Sequence, residues 1–422
     1  MSHAKLALFD GTPVRDKPFP TANNIGEEEI SAVENVMRKG ILSNFVGAGT
    51  DEFYGGEAVR NLESNWSAHF KCKHSVSVNS ATSGLYAAIG AAGINPGDEV
   101  IVSPYTMSAS ATCALVYGGI PIFADIDPDT FCLSPQSIRK NITPKTKAIV
   151  VVNLFGLAAD LVEIMNIAKE FNLIVIEDNA QAPGALYNNQ FTGTIAHMGV
   201  FSLNCFKTIQ SGEGGMVCSN HDIFYEKLCL IRNHAEAVID TPAFCPSDIS
   251  NLIGFNYRLT EIQAAIANEQ LKKLNELNTL RIQNVDYLNE KFKAYPFITT
   301  PNVPKGSSHV YYVHALKYQG SDTLDRKGFL KALSSEGVQL PGGYVKPLYL
   351  LPLFQQQLAF GNSGYPFTLK THEQIYQKGL CPVTEKMHFE SLIVNTHIHN
   401  HMQKQDLDDI VTAIDKIAYH YF

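Results

Sequence analysis

Six short, almost uninterrupted apolar runs punctuate the first half of the chain: SVSV at 75–78, EVIVSP at 99–104, PIFADID at 121–127, KAIVVVNLFG at 147–156, LIVIEDNA at 173–180 and GVFSLN at 199–204. Runs this short, without polar alternation, suit strands covered on both faces. Between them lie stretches such as LYAAIGAAG and LVEIMNIAKEFN, whose apolar residues follow a helical period. Strand and helix alternating in this way predict an α/β domain with a mainly parallel sheet.

From Thr260 the pattern changes to one long amphipathic helix, with Ile262, Ile266, Leu271, Leu274, Leu277, Leu288 and Phe292 as its apolar stripe and its end before Pro296. Beyond it, HVYYVHALKY reads as a strand, DRKGFLKALSSEG as a helix closed by Gly337, and DLDDIVTAIDKIAYH as a terminal helix. At 422 residues the chain is longer than a single core usually covers. We therefore expect two domains: 1–290, a large α/β domain carrying an N-terminal arm and the connecting helix, and 291–422, a smaller α+β domain.

With 33 basic residues against 41 acidic ones and a net charge of -8, the chain lacks the basic surplus that nucleic-acid binding demands. Its first residues, MSHAKLALFDGTPVRDKPFP, do not describe a signal peptide. Val100 to Ala124 carry no charge and are long enough to cross a bilayer, but Pro104, Gly118, Gly119 and Pro121 make them a strand, turn, helix and strand of a water-soluble core. The eight cysteines (Cys72, Cys113, Cys132, Cys205, Cys218, Cys229, Cys245 and Cys381) form no CxxC pair, and most lie in apolar segments, as expected of buried thiols in a reducing cytoplasm.

No GxGxxG and no GxxxxGK[ST] occurs among the strand ends. VNSATSGLYAAIG instead places Asn79 to Gly84 between a strand and a helix, where free N–H groups and hydroxyls can hold a phosphate or simply cap the helix. VIEDNAQAPGA delivers Glu177 and Asp178 to the carboxyl end of a strand, the edge where open α/β sheets bind ligands. A buried Asp178 needs a cation, such as a protonated ring nitrogen; a loop-capping carboxylate is the plainer alternative. In GVFSLNCFKTIQSGEGG, Lys207 follows a strand end and precedes a glycine-rich stretch. A desolvated amine there is suited to Schiff-base chemistry with a carbonyl, whereas a lone surface lysine would carry no chemistry. Phosphate anchor, ring-nitrogen partner and reactive lysine together meet the requirements of pyridoxal 5'-phosphate.

These segments, with IGEEEISAVENVMRKGILS, GDEVIVSPYTMSASA, ITPKTKAIVVVNLFG and GFNYRLTEIQAA, resemble the pyridoxal-phosphate-dependent sugar aminotransferases of the DegT/StrS type, from about Ile25 to the C-terminal helix. The resemblance implies the fold type I architecture, a large domain with a seven-stranded sheet plus a small domain. It implies Lys207 as the Schiff-base lysine, Asp178 at the pyridinium nitrogen and Gln181 at the ring hydroxyl. Ala81 and Thr82 backbone groups with the Ser202 hydroxyl would take the phosphate, and Asn256 that of a neighbouring subunit, hence a homodimer with shared sites and Arg258 in support. Many relatives carry an aromatic residue against the ring where this chain has Met107; a thioether can lie against the ring face, and Tyr105 is the fallback. Relatives with His in place of the lysine are dehydratases, so Lys207 implies transamination. The implied reaction is ping-pong transfer, through the pyridoxamine form, from L-glutamate to a keto-sugar, most simply nucleotide-linked, in the cytoplasm. Dehydration, amination of a cyclitol (an inosose) and a non-catalytic regulatory role are the alternatives.

Weaker signals lie nearer the C-terminus. His397, His399 and His401 alternate in THIHNH, a spacing that lets an extended strand offer three imidazoles to zinc, but no Cys or acid completes the set and we expect a polar strand face or turn. His309, Tyr311, Tyr312, Tyr344, Lys346 and Tyr349 are candidates for a substrate pocket, since aromatic and basic side chains suit sugars and diphosphates. No metal is expected.

Overall fold

The computed structural model describes residues 5–239, 251, 253–370 and 376–422, so Cys245 lies outside the described residues. Seven strands form the main sheet: β1 (His74–Val78), β2 (Glu99–Val102), β3 (Ile120–Phe123), β4 (Thr146–Val152), β5 (Ile174–Asp178), β8 (Met198–Ser202) and β9 (Gly215–Ser219), in the order β1-β9-β8-β5-β4-β2-β3. A small hairpin, β6 (Leu186–Tyr187) and β7 (Gln190–Phe191), stands apart. The first five strands and β8 are the six apolar runs, and every pairing is parallel except the two made by β9. The sheet is thus mainly parallel, as expected; β9, which starts inside the glycine-rich stretch, was not legible as a strand.

Both faces of the sheet are covered, which is why the runs are continuous. Val100, Val102 and Val150 pack against the layer formed by α3 (Ala81–Ala91), α4 (Ala109–Val116) and α7 (Asp222–Arg232). Ile101, Ile149 and Val151, one residue out of phase, face α5 (Pro135–Asn141) and α6 (Leu161–Phe171). Phe201 and Met216 pack instead on α2 (Glu57–Phe70) and α8 (Glu261–Phe292). Helix α3 comes unusually close to the sheet at Gly84, where a Cβ would lie 2.9 Å from Val200 and 3.1 Å from Val217. Val100 to Ala124 form β2, α4 and β3, and among the described residues no helix is long and apolar enough to cross a membrane.

The long helix α8 starts at a capping box between Thr260 and Gln263. Its first turns bury Ala264, Ala265 and Ala267 rather than Ile262 and Ile266, which are half-buried; from Leu271 onward the expected stripe holds, with Arg281 and Val285 added to it. Val285, Leu288 and Phe292 reach a second core. There, β10 (Ile298–Thr299), β11 (His314–Tyr318) and β12 (Leu392–Asn395) form an antiparallel sheet packed with α9 (Arg326–Ser335) and the C-terminal helix Lys404–Tyr421. The N-terminal segment joins this core: Glu336 accepts from Ala7 N at 2.8 Å, and Arg15 pairs with Asp406 at 2.9 Å and Asp409 at 2.7 Å. Conversely, Tyr349, Phe354 and Tyr376 pack under the main sheet.

Candidate active site

Pairing registers place Val78, Gly215 and Ser202 side by side at the ends of β1, β9 and β8. Helix α3 begins beside them. Ser80 caps it by accepting from Ser83 N at 3.0 Å, and the Ser83 hydroxyl donates to Asn79 Oδ1 at 2.6 Å. Those three residues are the caps; Ala81 and Thr82, in the first turn, have N–H groups with no acceptor in their own helix. A Cβ on Gly215 would stand 2.7 Å from Ala81 N and from Ser80 C, so only glycine lets the strand end meet the helix start. The result is a concavity of N–H groups beside the Ser202 hydroxyl, at the positive end of a helix.

Strand alternation sends the two carboxylates of β5 opposite ways. Glu177 is wholly structural: it accepts from Gly193 N, Ile195 N, Ala196 N and Asn153 Nδ2 at 2.7–2.9 Å, tying the 193–196 turn to the sheet. Asp178 is buried with fewer donors, Ser110 Oγ at 2.6 Å and Ala180 N at 3.2 Å. Burial pushes its pKa up, opposed by those bonds and by the charge of Lys207. Asp178 is therefore a carboxylate whose solvation is only partly replaced, and a cationic ring nitrogen would complete it.

Lys207 lies between β8 and β9. Its Nζ is 3.5 Å from Tyr312 Oη and 4.5 Å from the Tyr312 ring centroid. It lines a cavity of about 520 Å³ with Tyr312, Tyr344, Arg281 and residues of the 20–24 and 396–399 segments. Asp178 and Gln181 stand behind that wall: Gln181 accepts from Phe155 N at 2.8 Å and donates to Tyr344 Oη at 3.1 Å, and the charge of Asp178 reaches both Tyr344 and Lys207. The structure thus brings together Lys207, Asp178, Gln181 and Tyr344, with the Ala81, Thr82 and Ser202 concavity at the neighbouring strand ends.

Other candidates fall elsewhere. Met107 is 63 % exposed just before α4, and its carbonyl accepts from Ser110 N. Tyr105 is buried, its hydroxyl accepting from Tyr344 N at 2.8 Å, so it is held in the wall. Asn256 is exposed next to Asn79, while Arg258 donates to Asn233 Oδ1 at 2.9 Å and 2.5 Å, supporting the loop that Asn233 anchors at Val46 and Phe53. His309, expected near substrate, is buried against Tyr311, its Nδ1 accepts from Tyr311 N, and burial lowers its pKa to about 3. Lys346 is exposed and away from the cavity lining, and Tyr349 is buried with its hydroxyl on Glu385 at 2.5 Å. The three alternating histidines are neither a strand nor a metal set: His397, His399 and His401 donate to the carbonyls of Gln339, Pro20 and Asn23 at 2.7–2.9 Å, and no metal-binding cluster occurs among the described residues.

Sequence reasoning missed Ser110, which orients Asp178, and Arg281. The latter left a signal, a cation in the buried stripe between Leu277 and Val285, where helical period reserves an apolar place.

Anion cradle, buried acid and strand-end lysine on one edge of a mainly parallel sheet define a cofactor enzyme of the aminotransferase architecture. The DegT/DnrJ/EryC1/StrS aminotransferase family model matches residues 23–415, and the chain belongs to that family. It is 30% identical to the L-glutamine:2-deoxy-scyllo-inosose aminotransferase of Streptomyces kanamyceticus, over 100% of this chain and 98% of that one. It is 31% identical to the GDP-perosamine synthase of Caulobacter vibrioides, over 86% and 90% of the respective chains. The crystal structure of an aminotransferase from Psychrobacter cryohalolentis superposes with a TM-score of 0.82 at 26% identity, covering 96% of this chain and 100% of that one. The protein is accordingly an aminotransferase dependent on pyridoxal 5'-phosphate, and the underfilled Asp178 and the Gly215 concavity fit that group.

Proposed function

We propose that the protein transfers the amino group of L-glutamate to a keto group on a sugar, nucleotide-linked, in the cytoplasm. The observation that carries this reading is the convergence of Lys207 and Asp178 on one edge of the sheet, each within the other's field. Ala81 and Thr82 N–H groups and the Ser202 hydroxyl would hold the cofactor phosphate, Asp178 the ring nitrogen, Gln181 the ring hydroxyl and Lys207 Nζ the aldehyde carbon. When bound, pyridoxal phosphate supplies an electron-withdrawing ring that accepts the electron pair of the donor carbon.

The chain's own contribution is positional. Asp178, fixed by Ser110, would keep a proton on the ring nitrogen. Lys207 Nζ, on a loop held by the Lys207 N to Asn204 O bond, would take the proton from the donor carbon and return it two bonds away, at the carbon that the cofactor's aldehyde supplies. The Tyr312 ring lies against the amine, and Tyr344 lines the same cavity.

A second copy of the chain fits this reading. Met37, Ile41, Leu42, Val46, Ile253 and Phe206 are exposed apolar side chains, Phe206 at 80 % beside the lysine; a homodimer would cover such side chains, with Asn256 reaching the partner's phosphate. The full-length match to the S. kanamyceticus enzyme favours a cyclitol ketone as the second reading of the acceptor. Dehydration is disfavoured by Lys207.

A panel of nucleotide keto-sugars and inososes, each assayed with L-glutamate, tests the proposal against Lys207→Ala. The variant should bind cofactor non-covalently and lose at least about 10⁴-fold in turnover. Undiminished turnover in the variant would refute the lysine's role; amination of inosose alone would select the second reading.

A further inference from the structure

Arg281 lies on the buried stripe of α8, 8 % exposed, and lines the cavity that holds Lys207. Such a guanidinium needs an anion. Among the described residues it has none: Nη1 donates to Thr208 Oγ1 at 2.7 Å, and Nε is buried without a partner there. Burial lowers its pKa only to about 10, so it is charged at neutral pH. Among its described lining residues the cavity holds two cations, Lys207 and Arg281, and no Asp or Glu. The cavity is built for an anion.

Its position says which anion. Thr208 directly follows Lys207 in the chain, and Tyr312, whose hydroxyl is 3.5 Å from Lys207 Nζ, also lies in the field of Arg281. In an α-amino acid the carboxylate carbon is about 1.5 Å from the carbon bearing the amine. In a nucleotide-linked keto-sugar, several bonds of the ring separate any phosphate from the reacting carbon. A cation beside the lysine therefore matches a carboxylate on the reacting carbon.

Resting on the aminotransferase reading above, we propose that Arg281 is the residue that binds the α-carboxylate of the amino donor, through the guanidinium that lines the cavity. A two-pronged guanidinium–carboxylate contact fixes orientation as well as affinity, and it presents the donor's Cα–H to the lysine. The side chain at Cα is then free to vary, so selection rests on the α-carboxylate.

The experiment follows the absorbance of the cofactor-loaded enzyme while L-glutamate, 4-aminobutyrate (the same donor without the α-carboxylate) or pyrophosphate is added to wild type, Arg281→Met and Arg281→Lys. Wild type should respond to L-glutamate far better than to 4-aminobutyrate. Arg281→Met should raise the half-saturating L-glutamate about 100-fold and leave the 4-aminobutyrate response unchanged, so that selectivity collapses; Arg281→Lys should recover part of it. If Arg281→Met does not fold, the selectivity of Arg281→Lys decides. Unchanged selectivity in the variants overturns the proposal. So does pyrophosphate that competes with L-glutamate in wild type and not in Arg281→Met, since the guanidinium would then serve a phosphate. Wild type that binds cofactor but responds to no α-amino acid fails at the aminotransferase reading itself, and the role of Arg281 falls with it.

Discussion

Ala81, Asp178, Ser202 and Lys207 stand at strand ends or at the start of a helix packed on the sheet, whereas Arg281, Tyr312, Tyr344 and residues of the 20–24 and 396–399 segments converge from separate parts of the chain on the cavity that Lys207 lines. The first wall is tied by register: Val78, Gly215 and Ser202 cannot move apart without breaking the main sheet. The second is tied by side chains, with His399 and His401 donating to Pro20 O and Asn23 O, and Asn24 to Thr208 O. Backbone-built sites hold atoms to a fraction of an ångström; side-chain ties permit exchange. A reaction that keeps one cofactor while donor and acceptor alternate is served by that division.

The sheet-edge wall should fail hardest. Asp178→Asn should lower transamination by about 10³-fold, near 4 kcal/mol, because the ring nitrogen loses its anion. Stability should move the other way. Since burial raises the folded-state pKa of Asp178, its ionisation opposes folding above the unfolded pKa, and removing it should stabilise the cofactor-free protein at neutral pH. Urea midpoints of the cofactor-free proteins check the sign; a destabilised variant would mean that the carboxylate is already satisfied. Next, Gly215→Ala should cost about 1–3 kcal/mol and weaken cofactor retention on dialysis, because its Cβ would meet Ala81 N and Ser80 C at 2.7 Å. Full retention would show that the strand end can back away from the helix.

Acid should reverse the ranking of the two regions. His309 and His314, both beside the smaller sheet, are buried neutral with pKa values lowered from 6.5 to about 3. Below 6.5 the unfolded chain binds two protons that the folded one refuses, so stability present above that pH is lost as pH falls toward 3. The slope is about 1.4 kcal/mol per pH unit for each imidazole, about 2.7 for both. Asp178 and Glu177, with raised pKa values, lean the opposite way. Unfolding free energies measured through this range should show the loss, and His309→Gln should remove about 1.4 kcal/mol per pH unit of it; an unchanged slope would place the acid-sensitive groups elsewhere.

The sheet-edge wall was legible because its chemistry is local. Asp178 is the last residue of an apolar strand and Lys207 lies just past another, so one segment carries both the structure and the reactive group. Glu177 and Asp178 could be separated only by seeing which face each joins. The second wall was not legible, because nothing in PTANN at 20–24 announces that it meets THIHNH at 396–401. For the alternating histidines the spacing leaves a strand face and a turn open; the chain takes the turn, and each donates to a carbonyl contributed by another segment. His309 misled for a related reason, since a turn that buries an imidazole against Tyr311 looks, in sequence, like a pocket rim.

The smallest expected effect tests whether the second wall is held by those ties. His399 donates through Nε2 to Pro20 O at 2.8 Å and accepts at Nδ1 from His401 N at 3.1 Å, which fixes its neutral tautomer. Burial and the neighbouring charges of His401 and Arg281 lower its pKa, so the tie persists at neutral pH. His399→Ala removes both hydrogen bonds, and the one that ties the 18–24 segment, to Pro20 O, is worth about 1 kcal/mol. That is enough to raise the open population of the 18–24 segment about fivefold and too little to unfold the protein. Hydrogen exchange at residues 21–24 should quicken by that factor, and half-saturation by L-glutamate should rise two- to fivefold with the maximal rate nearly unchanged. If the maximal rate fell and exchange did not change, the arm would be held by its packing against Phe19 and Arg15, and the two walls would be equally rigid.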